Sequence, residues 1–302
     1  MSLDEFEVNN NEDHIILEDH SIDKNKILNE RMKKHMNKIT KQIEQVDNIQ
    51  KKIEKLLKLG YQDNLLSSVW SEENISETIE GKRIFSLSEW NTKFLIDFHT
   101  NINDKILDPF AGYLNTAINV LSSNRGYEGY EVDPIFYRKL DQKLSSLKNN
   151  REMMGLDDID YNIYNQDSSI MENKDKVDMV LTTLPELISS KKLHKTEDMI
   201  AIEYDEYINK IINPLLASYE RLKKGGFYII HFKDVLNGFV YKPILMDISN
   251  ILNQFMSIQY LVILQQKVQP LSSSQSVNIL KFYTEQTFPY THQYILCFYK
   301  GD

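Results

Sequence analysis

Apolar residues first recur at a helical period near the start of the chain, where Met36, Ile39, Ile43, Val46, Gln50, Ile53 and Leu57 follow one another at alternating spacings of three and four. Lys or Glu fills most of the positions between them, and no Gly or Pro interrupts the run before Gly60. The pattern predicts a helix with a narrow apolar seam about three heptads long, suited to packing on its own chain or on a partner helix. Gln50 is the polar position of the seam and suits a register-setting role.

Beyond Gly60 the period changes. Ser86 to Thr100 predicts a helix with Trp90, Phe94, Leu95 and Phe98 on one side, and the Asn101–Asp104 turn leads into a strand from Lys105 to Asp108. A helix from about Tyr113 to Asn124 follows, then a short strand from Tyr127 to Val132 and a helix from Pro134 to Leu147. Strands are expected at Tyr161 to Tyr164 and Val177 to Thr182, then a helix from Tyr204 to Leu222 that stops at Lys223-Lys224-Gly225-Gly226, and a strand from Phe227 to Phe232. Strand and helix in alternation argue for an open α/β sheet covered on both faces. Late strands at Ile258 to Leu264 and Gln293 to Tyr299 are expected to close it with an antiparallel pair at one edge.

Charge divides the chain more sharply than its net of −9 suggests. Met1 to Asp19 carries seven acidic residues and no Lys or Arg, which reads as an acidic, flexible tail. His20 to Gly60 carries 11 Lys or Arg against five Asp or Glu, and the rest of the chain is acidic. Nucleic-acid affinity comes largely from cations that displace condensed counterions, so only the basic helical segment has the sign for it. The division expected is therefore a tail over 1–19, a basic coiled-coil-like helix over 20–60 and an α/β domain over 61–302. No apolar run approaches the roughly 18 residues of a membrane span, and Asp4, Glu5 and Glu7 stand where a secretion signal would be basic. The expectation is an intracellular protein, cytoplasmic or nuclear. The single cysteine, Cys297, lies in an apolar run and is expected to be a buried strand thiol; no zinc pattern is present.

The stretch Ile106-Leu107-Asp108-Pro109-Phe110-Ala111-Gly112, an apolar strand running into Asp-Pro-Phe-Ala-Gly and then a helix, resembles the first motif of the DNA adenine-N6 and cytosine-N4 methyltransferases. The resemblance implies a Rossmann-like methyltransferase fold, a mostly parallel seven-stranded sheet with helices on both faces, preceded here by the long N-terminal helix. It also implies S-adenosylmethionine as cofactor, with Asp108 near its methionine end, Phe110 and Ala111 turning the chain, and Gly112 letting the backbone approach. Glu131, in Gly129-Tyr130-Glu131, would accept from the ribose hydroxyls, since a carboxylate offers two acceptor oxygens, and Asp167 would lie near the adenine amine. Trp90-Asn91-Thr92-Lys93-Phe94 occupies the place of the segment that helps hold the methionine moiety, which makes Lys93 a candidate. Arg221-Leu222-Lys223-Lys224-Gly225-Gly226-Phe227 resembles the turn before the fifth strand.

Two positions depart from the family pattern. Tyr113-Leu114-Asn115-Thr116 stands where the family has Ser-Gly-Thr-Thr, and a branched Leu114 is expected to crowd the cofactor. The family's fourth strand ends in Asp, Asn or Ser, then Pro-Pro and an aromatic residue that stacks on a flipped base. Here the strand runs into Thr183-Leu184-Pro185-Glu186. Thr183 and the Leu184 carbonyl retain acceptor capacity, whereas Glu186 offers no stacking face, and stacking contributes roughly 1–3 kcal/mol per base. Its carboxylate is also expected to lie near a nucleic-acid phosphate, and Leu184 to loosen the turn. No separate target-recognition domain is evident; the loop from Leu187 to Glu203, with Lys191, Lys192, His194 and Lys195, and the segment from Gln265 to Pro289 are the candidates. The expectation is a noncatalytic subunit of this fold that binds nucleic acid or supports a partner methyltransferase, associating through residues 32–57, with nucleic acid reached through the basic helix. The alternative is an active DNA or RNA amino-methyltransferase with a divergent Thr-Leu-Pro-Glu centre.

Overall fold

A computed structural model describes residues 21–72, 78–79, 82–83, 86–112, 115–156, 158, 160–172, 175–187, 197–237, 240–266 and 292–301. The acidic tail, Tyr113 and Leu114, the four basic residues between 191 and 195, and most of the Gln265 to Pro289 segment lie outside them.

The chain divides into two units, Met1–Lys55 and Leu56–Asp302. The first consists, in its described part, of helix α1 (Ser21–Lys58), whose last residues belong to the second unit. Met36, Val46 and Ile53 of the seam stand exposed on α1, and Gln50 hydrogen-bonds along its own helix to Glu54. At the end of the helix the buried residue is Leu56, 1% exposed, while the seam position Leu57 is left open. The cause is local: Gly60 takes φ +91° and the Tyr61 N–H closes onto the Leu56 carbonyl, which turns Leu56 into the core of the second unit.

That unit is built on an eight-stranded sheet, with two short antiparallel pairs outside it, β2 (Thr78–Ile79) with β3 (Lys82–Arg83) and β9 (Val235–Asn237) with β10 (Val240–Lys242). Strand β4 (Lys105–Asp108) lies between β5 (Gly126–Tyr130) and β7 (Val177–Thr183); β6 (Tyr161–Tyr164) is outside β5, and β8 (Leu222–Phe232) is outside β7. These five run parallel. Beyond β8 come β12 (His292–Tyr299), antiparallel to both of its neighbours, then β11 (Ser257–Gln266), and at the edge β1 (Val69–Glu72), parallel to β11. This is a Rossmann-like α/β fold, mostly parallel and covered on both faces. Two details correct the expectation. The sheet has eight strands and not seven, and the antiparallel strand is not part of an edge pair, because β1 adds itself outside β11.

Each face has its own core. On one side, helices α3 (Glu89–His99), α4 (Asn115–Ser122) and α5 (Pro134–Met153) cover Ile106, Tyr127, Met179, Ile229, Ile295 and Cys297. On the other, α6 (Glu197–Arg221) and α7 (Ile244–Leu252) cover Leu107, Val180, Tyr228, Ile230 and Leu296. Successive strand residues point to opposite faces, so adjacent pairs such as Ile106 and Leu107 separate into the two cores. Helix starts follow from their capping residues. Ser88 accepts from the Asn91 N–H at the head of α3, and Asp133 accepts from Ile135 and Phe136 ahead of Pro134 in α5. Cys297 is fully buried, and burial pushes its thiol up to about 12.

Trp90 and Asn91 are committed to joining this unit together. The Asn64 side chain, from helix α2 (Gln62–Leu66), donates to Asn91 Oδ1 at 2.9 Å and accepts from Trp90 Nε1 at 3.0 Å, while Asn91 donates to the Ser71 carbonyl of β1. The segment that the resemblance assigns to the methionine moiety thus anchors α2 and the edge strand. No described helix is long and apolar enough to cross a membrane.

Candidate functional site

In an open α/β sheet the ligand crevice lies beyond the carboxyl ends of the strands, where the order reverses. Here that point is the end of β4, flanked by β5 and β7. Asp108, the last residue of β4, is 1% exposed. It accepts from the Thr182 hydroxyl of β7 at 2.6 Å and from the Phe110 N–H at 3.1 Å, and Thr116 at the head of α4 also bonds to it. Burial pushes its carboxyl up to about 7 against these three hydrogen bonds, with a smaller push from Glu131.

The turn after Asp108 closes onto β5. The Ala111 N–H donates to the Tyr130 carbonyl, and the Gly112 N–H donates to Glu131 Oε2 at 2.9 Å. Gly112 sits at φ +58°, a conformation that side chains other than glycine rarely adopt, and a Cβ there would meet nothing nearer than 3.9 Å. The backbone conformation by itself requires the glycine. Glu131 serves both neighbouring turns, because Oε1 accepts from the Asp133 N–H at 2.7 Å. Asn165 holds the end of β5 from the side by donating to the Glu131 and Val132 carbonyls.

Asp167 is exposed and accepts from the Ser169 N–H. Its loop is fastened to the β4 turn by the Ser168 hydroxyl, which donates to the Pro109 carbonyl at 2.7 Å. Asp108, Phe110, Ala111, Gly112, Glu131 and Asp167 thus form one rim across three strand ends. Lys93 does not join it through any described hydrogen bond; its ammonium pairs with Glu89 one turn back on α3.

A residue that the sequence reading passed over completes the rim. Tyr127, fully buried on β5, carries the one buried side-chain polar atom among the described residues that has no hydrogen-bond partner. Tyr127, Gly129 and Glu131 alternate along the strand onto one face, and the tyrosine ring lies over Gly129. A Cβ on Gly129 would stand 2.6 Å from the Tyr127 hydroxyl. Burial drives that phenol well above its ordinary value, with further pushes from Asp108 and Glu131. A buried hydroxyl without a partner costs free energy, and this one is set among the two acids, where an adenosyl ligand with hydroxyl and amino groups would supply partners. The residues present fit S-adenosylmethionine on that ground. Gly129→Ala is expected to displace the Tyr127 ring and destabilise the protein by about 1–3 kcal/mol, measured as a lowered denaturant midpoint; an unchanged midpoint would show that the ring has other room.

The second half of the site begins one residue after Thr182. Thr183, half-buried at the end of β7, shares a hydrogen bond of 3.0 Å with His231 Nδ1 on β8, and His231 Nε2 meets Gln293 Oε1 on β12 at 2.7 Å. Leu184 donates its N–H to the His231 carbonyl and buries its side chain in the α6 core, so it fastens the turn that it was expected to loosen. The Pro185 carbonyl accepts from the Tyr207 hydroxyl at 2.9 Å. Glu186 forms an ion pair with Lys233. The carboxylate expected near a nucleic-acid phosphate is thus held beside an ammonium of its own chain. Leu114, expected to crowd the cofactor, lies outside the described residues.

Sequence reasoning missed Thr116, Tyr127, Thr182, His231, Lys233 and Gln293. The period-two alternation that places Glu131 at the rim also places Tyr127 on its face, and was the one signal available. The others depend on pairing between strands that are distant in sequence.

No family model matches the chain, and no curated protein matches it. Among solved structures, the chain is similar to an rRNA methylase from Streptococcus thermophilus, with 12% identity, 72% of this chain and 99% of that one covered, and a TM-score of 0.43. It is also similar to an S-adenosylmethionine-dependent methyltransferase from Clostridium acetobutylicum, with 13% identity, 67% and 85% covered, and a TM-score of 0.39. TrmN from Thermus thermophilus is 14% identical over 70% of this chain and 48% of its own, with a TM-score of 0.40.

Proposed function

We propose that the rim binds S-adenosylmethionine, and that the chain is a methyltransferase-fold subunit of the DNA adenine-N6 and cytosine-N4 type whose own base pocket is closed to catalysis. The observation that carries the cofactor half is the unpartnered Tyr127 hydroxyl held over Gly129 among Asp108 and Glu131. In this reading Asp108, the Phe110–Gly112 turn, Glu131 and Asp167 hold the ligand. When bound, S-adenosylmethionine supplies an electrophilic methyl group. Residues of this chain orient it: Glu131 fixes the Gly112 turn, and Thr182 and Thr116 fix Asp108.

The noncatalytic half is supported by the segment after Thr183. Glu186 is paired with Lys233, and the Pro185 carbonyl is engaged by Tyr207, so the position of a base-stacking ring holds an internal ion pair. Residues 32–57 of α1, with their exposed seam, are the proposed attachment to a second copy or a partner, and the basic helix is the proposed nucleic-acid contact. One observation favours the alternative of an active amino-methyltransferase: Thr183, only half-buried, keeps a hydroxyl one residue beyond Thr182, which bonds to Asp108.

Isothermal calorimetry with S-adenosylmethionine on the full chain is expected to give binding that weakens at least tenfold in Glu131→Ala, while labelled cofactor transfers no methyl group to DNA or RNA. Leu114→Gly is expected to tighten the binding. Light scattering of the chain with and without the residues before Gly60 reads the attachment. Absence of binding in both wild type and Leu114→Gly would sink the cofactor reading. Robust transfer that Thr183→Ala abolishes would install the active enzyme in place of the subunit.

A further inference from the structure

Behind the Thr183 hydroxyl stands a buried polar row whose direction can be worked out. Thr183 and His231 are cross-strand partners on β7 and β8, and His231 faces Ile295 on β12, which puts Gln293 diagonally beside it. His231 is 0% exposed and Gln293 5%, whereas Thr183 is only half-buried. Gln293 presents its carbonyl oxygen to His231 Nε2, so that nitrogen carries the imidazole proton. A neutral imidazole has only one, which leaves Nδ1 as an acceptor, and the Thr183 hydroxyl must then donate to it. Burial keeps the ring neutral by pushing its pKa down to about 4, with Lys233 acting in the same direction and Gln293 against. The single hydroxyl proton is spent on His231, and lone pairs alone remain for an arriving group.

We propose that His231, locked in one tautomer by Gln293, is a positioning residue that fixes Thr183 as an acceptor, so that this pocket selects an amino group over an oxo group at the same ring position. The inference rests on the alternative reading given above, in which the Thr183 hydroxyl faces a base. It applies to a bound base whether or not methyl transfer follows.

Cytidine and uridine are suitable probes, since they differ by amino against oxo at one ring carbon and neither carries a purine that would compete for an adenosyl site. On the full-length protein with saturating S-adenosylmethionine, calorimetry is expected to show cytidine bound about tenfold more tightly than uridine. Long-range proton–nitrogen NMR of labelled histidine is expected to show His231 neutral and protonated at Nε2. Gln293→Glu places a carboxylate against Nε2 and favours the imidazolium; Nδ1–H then donates to Thr183, the hydroxyl proton turns outward, and the preference moves toward uridine. Thr183→Ser is expected to keep the cytidine preference and Thr183→Ala to lose it with the tautomer unchanged. A wild-type His231 protonated at Nδ1 would overturn the proposal without any variant having to fold. So would a cytidine preference undiminished in a Gln293→Glu protein whose His231 is shown to be charged, or failure to bind either nucleoside. The cofactor heat measured on the same sample separates these failures from failure of the rim to bind S-adenosylmethionine.

Discussion

Thermal unfolding is expected to give a nearly level midpoint between pH 4 and pH 6.5 as far as Asp108 and His231 are concerned, and each single substitution is expected to reveal a steep and opposite slope. Burial raises the Asp108 carboxyl from 3.8 to about 7, so between those values the folded protein holds a proton that the unfolded chain has released. That term stabilises fully below pH 3.8 and is lost as pH rises through 7. Burial lowers His231 from 6.5 to about 4, so over nearly the same window the unfolded chain holds a proton that the folded protein lacks. That term stabilises above pH 6.5 and is lost as pH falls through 4. The two proton differences cancel in wild type.

Asp108→Asn keeps a group able to accept from Thr182 and Phe110, and leaves the histidine term alone. Stability of that variant is expected to climb by about 1.4 kcal/mol per pH unit, roughly 3 kcal/mol in all. His231→Asn leaves the carboxyl term alone, and stability is expected to fall by up to about 4 kcal/mol from pH 4 to pH 7. At roughly 2–4 °C per kcal/mol, both trends are within reach of calorimetry. Parallel curves for wild type and Asp108→Asn would mean that Asp108 is ionised across the window.

Arg221→Met is expected to cost up to about 3–5 kcal/mol, because it leaves the interior Glu128 carboxylate with Lys105 as the one described cation beside it. Glu128 on β5 is 0% exposed and receives two guanidinium bonds from Arg221, at 2.7 and 3.0 Å. Lys105 at 3.1 Å and the Tyr130 hydroxyl at 3.0 Å also hold it. Burial pushes the Glu128 carboxyl up, but Arg221, Lys105 and Tyr130 outweigh it and hold the group below the usual carboxylate range. Replacing both partners, as Glu128→Leu with Arg221→Met, is expected to recover most of the loss, since the cost lies in a buried charge that Lys105 compensates only in part and not in the absence of the pair. A double variant no more stable than the single one would instead assign the loss to packing. Denaturant midpoints of the three variants decide between these outcomes.

The alternation of strands and helices was legible from local periodicity, which is why β4 and β6 fall at their expected residues and α3 begins where Ser88 can cap it. The Asp108-Pro109-Phe110-Ala111-Gly112 turn was legible too, since proline and glycine act on their own backbone. Elements whose reason for forming lies elsewhere were not. Strand β1 has four residues and exists because β11 offers it an edge, and α7 shows its apolar face only through Ile244, Ile248 and Leu252 against α6 and the sheet.

The same division runs through the site. The sequence alone determined the acids at the strand ends and the loss of an aromatic residue after Thr183, because those are facts of residue type and order. Tertiary structure alone decided that Glu186 is neutralised by Lys233, that Tyr127 brings an unpartnered hydroxyl to the rim, and that Gln293 reaches His231 from 62 residues away. Hydrogen-bond direction and carboxyl protonation both depend on neighbours across the sheet: the direction of the Thr183–His231 bond comes into being when β12 inserts beside β8, and the protonation of Asp108 when β4 is buried between β5 and β7.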